Sequence, residues 1–201
     1  MKMIGFTVEL CYRDEIKNFI EKWHYSRSIN GVRSRYCFKI INSNNELTGA
    51  MIYAGFGMAN VWRKYAKSED KVLELRRLCC IDDTPKNIES FFISKTLKWI
   101  KQNTKVEIVI SYADDFYNHK GIIYQASNFE YLGTTSPNRM IEWNGKLWHD
   151  KTIRAYYNGK LKPYAQKIKD ALVRGEARYV NSRFKYIYKY TINRHFKYRK
   201  I

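Results

Sequence analysis

The chain has no apolar run near the roughly 18 residues that a membrane-spanning helix needs, so no membrane association is expected. Its opening, MKMIGFTVELCYRDE, has only a short apolar stretch and meets acidic residues at once, which does not fit a secretory leader. The four cysteines (Cys11, Cys37, Cys79 and Cys80) show no CxxC spacing, and two of them are adjacent, a spacing that seldom bridges. Nothing suggests a secreted disulfide framework, and a reduced, cytoplasmic protein is expected. No internal repeat and no low-complexity linker divides the 201 residues. Acidic residues are the scarce class, 19 against 37 lysines and arginines, giving a net charge of +18. Disorder is excluded, because 45% of the residues are hydrophobic and 17 are tyrosines.

The positive charge is uneven. Residues 151–201 carry 15 basic and 2 acidic side chains, whereas residues 1–150 carry 22 and 17. This predicts a domain over 1–150 and a basic, aromatic-rich, nucleic-acid-contacting extension over 151–201. The last stretch, RYVNSRFKYIYKYTINRHFKYRKI, interleaves bases with aromatics. Lysines and arginines neutralise phosphates, and aromatic faces can stack on exposed bases. The same aromatics could instead pack back onto the domain.

Hydrophobic periodicity gives the order of elements. A strand is expected over IGFTVEL, then a helix over 12–23 with Ile16, Phe19, Ile20 and Trp23 on one face. A basic loop, SRSINGVRSR, leads to a hairpin of RYCFKII and LTGAMIYAGF, and VLELRRLCCI is a further strand. Pro85 opens a helix through IESFFISKTLKWIKQN, and VEIVISYAD reads as a buried strand. A short helix over YNHKGIIYQAS precedes strands at FEYLGTT, RMIEWNG and KLWHD. The resulting order is β-α-β-β-β-α-β-α-β-β, an α/β fold with a mixed sheet flanked by helices.

Polar residues collect at the ends of these elements. His24 and Tyr25 end the first helix, Asp114 ends a buried strand at the carboxyl edge where open α/β sheets place ligands, and Tyr124 lies on the next helix. Histidine, carboxylate and phenol could serve together as general base, orienter and proton shuttle, or as ligands to a metal. A helix cap for His24 and a core position for Tyr124 are the plain alternatives. Alternation on a strand puts Glu74 and Arg76 on one face and Arg77 on the other, so the first two form an internal ion pair or line the substrate cleft as cofactor-binding residues. Asn87 and Ser90 open a helix whose free amides could hold an anionic part of a donor, although Asn87 also reads as a cap. His119 orients a phosphate or a base, or caps a helix. Asp115 suits a turn. Cys79 and Cys80 read as core, and His149 and His195 carry no assignment.

Three separated segments, WHYSRS (23–28), ELRRL (74–78) and SYAD followed by HKGIIYQASNFEYLG (111–133), occur together and in order. In this the chain resembles the phage Mom family, on an acyltransferase fold of the GNAT type. The resemblance implies transfer of a methylcarbamoyl-type group to the N6 amine of adenine in double-stranded DNA, which protects phage DNA from host restriction. It implies functional roles for His24, Tyr25, Asp114 and Tyr124, with ferrous iron as the metal they would hold. Most GNAT enzymes hold the pyrophosphate of acetyl-CoA on a glycine-rich loop after the fourth strand. Here that segment is CCIDDTPKNIESFF, which has no glycine and two aspartates. An ordinary CoA loop is therefore absent and the acyl donor is open.

With duplex DNA as partner, the adenine must leave the stack to react, at a cost of a few kcal/mol. Phosphate contacts are expected from Arg27, Arg33, Arg35 and His119, and from Arg183, Lys185, Arg194, Lys197 and Arg199, with Tyr25 or Tyr112 stacking on the extruded base. The alternatives are a CoA-dependent N-acetyltransferase of a protein or small amine, and a non-catalytic nucleic-acid-binding module. The oligomeric state is open, a dimer included.

Overall fold

The computed structural model describes residues 3–137, 139–181 and 184–192. Contacts divide them into two units. The first comprises the chain up to Ala113, Lys120–Gly133, and the residues from Tyr186 onward; the second comprises Asp114–His119 and Thr134–Lys185.

The first unit is built on a seven-stranded sheet. Strand β1 (Phe6–Cys11) is followed by helix α1 (Arg13–Trp23), the hairpin β2 (Ser34–Asn42) and β3 (Leu47–Ala54), and then β4 (Val72–Cys80). Helix α2 (Ile88–Asn103), β5 (Ile108–Asp114), α3 (Ile122–Ala126) and β6 (Glu130–Thr134) come next. Strands β1 to β4 pair antiparallel, and β4 and β5 pair parallel, the arrangement that a crossover helix such as α2 allows.

Two apolar layers hold this sheet. On one face Ile16 and Ile20 of α1 are fully buried with Ala50 and Ile52 of β3. Ile29 and Val32, within the expected basic loop, plug into the same layer, and the Arg13 guanidinium donates to both of their carbonyls at 2.8 and 2.9 Å. Trp23, expected on this face, is exposed instead. The other layer joins Phe91, Phe92, Leu97 and Ile100 of α2 to Leu73, Leu75 and Val109 of the sheet. Burying each large apolar side chain contributes about 1.5–3 kcal/mol.

The second unit contains β7 (Arg139–Trp143), β8 (Lys146–His149), α4 (Pro163–Val173) and β9 (Arg178–Asn181). Its three strands are ordered β8-β7-β9, and Ile141, Ile168, Ala171 and Ala177 form its small core. The chain then returns to the first unit as β10 (Lys185–Thr191), which inserts between β5 and β6.

The boundary expected at residue 150 does not coincide with these units, because 139–149 fall in the second and 186–192 in the first. The tyrosines of YIYKY explain why. Tyr186, Tyr188 and Tyr190 alternate along β10, Tyr188 is only 2% exposed, and the other two pack against the same core. Their rings meet Tyr131, Tyr124 and Phe129 at 5.2–6.2 Å. These three aromatics are therefore core, not faces offered to bases. Among the described residues no helix is long and apolar enough to cross a membrane. All four cysteines are free.

Candidate active site

Strands β4 and β5 pair only from Val72–Ile108 to Leu75–Ser111, where the Ser111 hydroxyl donates to the Leu75 carbonyl at 3.2 Å. Beyond that point both strands continue without pairing to each other. The register of β3 against β4 shifts at the same place: Tyr53 faces Leu75 while Ile52 faces Arg77, leaving Arg76 as the extra residue of a bulge. A bulge re-aims side chains beside a strand end.

Several polar groups of the first unit gather at this parting. Arg76 pairs with Glu74 at 3.4 Å, as the strand alternation predicted, and both are largely buried. Arg77 turns the other way and donates to the carbonyl of Ser28 at 3.0 Å. Desolvation lowers the pKa of its guanidinium, partly offset by the nearby Tyr25. Tyr124 is buried against Tyr188 and Phe129. Burial pushes its phenol up to about 12; a hydrogen bond with Ser111 works against this, and the neighbouring Tyr25 and Glu74 add to it. Tyr124 is thus a protonated phenol at neutral pH. Tyr112 lies just past the last strand pair, and its pKa is raised by burial and by a hydrogen bond with Tyr65.

His24 caps α1 and is 3% exposed, its ring 4.2 Å from that of Tyr25. The Ser26 amide donates to Nδ1 at 3.1 Å, and the Ser26 hydroxyl lies 2.8 Å from the same atom. An Nδ1 that accepts from an amide places the proton of the neutral ring on Nε2. His24 therefore presents a donor. This bears on the iron that the resemblance implies. Metal on Nε2 would require the proton on Nδ1, where the Ser26 amide already points. The phenol of Tyr124 would also have to ionise against its burial. With this tautomer and an un-ionised phenol, His24 and Tyr124 as arranged are not set as ligands to a ferrous ion.

The other expected residues are distributed as follows. Asp114 is described with the second unit, where its carboxylate accepts from the Phe116 amide at 3.1 Å and pairs with Lys185 at 2.9 Å. The backbone amide of His119, in the same unit, donates to the Asp114 carbonyl. The four residues singled out by resemblance are thus divided, three in the first unit and Asp114 in the second. Arg27, Arg33 and Arg35 are exposed around the loop after α1, with Arg27 donating to Lys22 and Arg35 to Glu69. Arg183, Arg194, Lys197 and Arg199 lie outside the described residues. Asn87 begins α2 in a left-handed conformation, and its side chain makes no capping bond. Ser90 lines a groove of about 400 Å³ with Ser94, Lys98 and Lys101. Between β4 and α2 the amides of Thr84 and Ile88 are taken up by the Ile81 and Pro85 carbonyls, and Asp82 and Asp83 are exposed. That leaves little of an anion-binding loop.

Three groups at the site carry no assignment from the sequence: Ser26, Tyr65 and Ser111. Ser26 and Ser111 lie within the WHYSRS and SYAD segments, so their position was a signal. Tyr65 lies in a stretch with no such pattern.

A family model described as the Mom protein family matches residues 5–200. The chain belongs to the Mom family. The methylcarbamoylase Mom of Escherichia phage Mu is 32% identical over 146 residues, a match that covers 71% of this chain and 59% of that protein. Among solved structures, a ribosomal-protein alanine acetyltransferase from Vibrio fischeri aligns with a TM-score of 0.54 at 9% identity, covering 96% of this chain and 97% of that one. A spermidine/spermine N-acetyltransferase from Vibrio cholerae aligns at 0.51 and 10%, covering 94% and 93%. These likenesses establish that this Mom-family chain has the acetyltransferase fold. Within it, WHYSRS supplies His24, Tyr25 and Ser26, ELRRL supplies the bulge, and the third segment supplies Ser111 and Tyr124.

Proposed function

We propose that the protein is a transferase that places a methylcarbamoyl-type group on the N6 amine of adenine in duplex DNA. The observation that carries this reading is the polar cluster at the parting of β4 and β5 in a member of the Mom family: a protonated phenol (Tyr124) near a carboxylate (Glu74) that is paired with Arg76. Mere binding of nucleic acid does not require such a set.

The amine of adenine is a weak nucleophile, because its lone pair is delocalised into the ring. As it attacks the carbonyl carbon of the donor, a C–N bond forms and the nitrogen must lose a proton, for which Glu74 is the acceptor. The bond from that carbon to the leaving group breaks, and Tyr124 gives the leaving group its proton. Arg76 and the Nε2–H of His24 stabilise negative charge on the carbonyl oxygen. Positioned proton transfer of this kind is worth about 10²–10⁴ in rate, and a preorganised donor to the oxyanion about 10²–10³. The donor is an activated carbamoyl compound held otherwise than on a glycine loop.

The test is restriction of plasmid DNA recovered from cells that express the protein. Enzymes whose sites contain adenine should fail to cut, and cutting should return with Glu74→Gln. Complete digestion of DNA from cells making folded protein would refute the reading.

A further inference from the structure

The second unit carries an unusual concentration of uncompensated charge. Residues 151–169 hold six lysines and arginines and no acidic residue. Within that stretch Arg154 pairs with Asp150, and further along the unit Arg174 pairs with Glu176 and Arg178 with Glu142. Lys160, Lys162 and Lys167 are exposed and have no acidic partner among the described residues. Lys160 and Lys162 lie on or next to a hairpin tip, and Lys167 lies on α4. Tyr157 and Lys160 exchange both backbone hydrogen bonds, at 2.8 and 3.1 Å, around Asn158 and Gly159. Both central residues are left-handed, with φ of 50° and 73°. This two-residue Asn-Gly turn matches the natural twist of a hairpin.

The tip presents two tyrosines to solvent, Tyr156 at 58% and Tyr157 at 72% exposed. Tyr156 is steadied from α4, whose Lys169 ammonium donates to its hydroxyl at 3.4 Å. Exposed tyrosines among lysines without acidic partners are not a typical surface for a protein partner, because lysine is depleted there. They do suit a polyanion with flat apolar faces, which accepts phosphate contacts and ring stacking together.

We propose that the tip Tyr156–Lys162 is a duplex-DNA contact, with Lys160 and Lys162 on phosphates and Tyr157 against bases. The proposal rests on duplex DNA being the substrate, and within the expected 151–201 extension it assigns part of the binding to a segment well before Arg183–Arg199.

The experiment is fluorescence anisotropy of a short labelled duplex with the full-length protein, titrated across salt. Combining Lys160→Gln with Lys162→Gln should flatten the slope of log K against log salt by about 1.8, since each phosphate contact contributes about 0.9. Tyr157→Ala should weaken binding about tenfold, and Tyr157→Phe should retain it, because the ring and not the hydroxyl stacks. All these side chains are exposed, so melting temperatures should stay at the parent value. Variants that match the parent in slope and affinity would overturn the proposal while leaving the transferase reading in place if cellular DNA is still protected. A parent protein that fails to bind duplex DNA would overturn both.

Discussion

Gly121, within the third family-like segment, is held in place by a steric argument that can be tested quantitatively. Its φ is +74°, and a Cβ built there would lie 2.2 Å from Cε2 and 2.7 Å from Cζ of Tyr188. Tyr188 cannot give way easily. It is buried, its hydroxyl donates to the Lys120 carbonyl at 2.5 Å, and it accepts from the Gln125 amide at 2.9 Å. Gly121→Ala therefore incurs two costs: about 1–2 kcal/mol for a left-handed backbone and about 1–3 kcal/mol for overpacking. A total near 3 kcal/mol should lower the melting temperature by roughly 6–12 °C for a chain of this size. Thermal unfolding followed by far-UV circular dichroism, with urea melts alongside, reads this directly. Adding Tyr188→Leu should remove the steric part but not the backbone part, so the second step should cost less in that background. A loss below about 2 °C for Gly121→Ala would refute the reasoning, because neither the backbone nor the ring would then be fixed as described.

Three further outcomes follow from the site. Tyr124→Phe should lower the rate of base modification about 10²- to 10⁴-fold while costing only about 1 kcal/mol of stability, the value of one hydrogen bond; single-turnover kinetics and a urea melt separate the two. Cys11 and Cys79 are pushed by burial to about 12, and burial raises Cys37 and Cys80 as well. Thiolate is therefore scarce at neutral pH, and intact-mass analysis after alkylation should show slow labelling of native protein and rapid labelling of all four thiols in urea. Tyr124 has a folded pKa near 12 against about 10 when unfolded. Its contribution to stability is complete below pH 10 and is lost as pH rises through 12, so an alkaline melt should steepen in that window for the parent and less for Tyr124→Phe.

The framework of the first unit was legible because its signals are local. Ile16 and Ile20 at helical spacing, the two apolar strands around the NSNNE turn of the β2–β3 hairpin and the unbroken apolar run of β5 each report their own element. Glu74 and Arg76 could be paired from alternation alone. What could not be read depended on distant partners. The buried face of α4 is made of Ala165, Ile168 and Ala171, two of them small residues that give a weak periodic signal. In β10 the Tyr-Lys alternation looked like a basic, base-stacking tail, and only its place between β5 and β6 shows that Tyr188 is core. The proton on His24 was also hidden, since it is set by the Ser26 amide two residues on. The engagement of the Asp114 carboxylate by Lys185, 71 positions further along the chain, was out of reach for the same reason.

Nucleoside mass spectrometry tests the central claim most directly. DNA from cells expressing the parent protein, Glu74→Gln or Tyr124→Phe would be digested to nucleosides and weighed. The account predicts a heavier deoxyadenosine, with the added mass of a methylcarbamoyl-type group, for the parent and its near absence for both variants. Unmodified deoxyadenosine with folded parent protein would contradict the account, as would equal modification in all three.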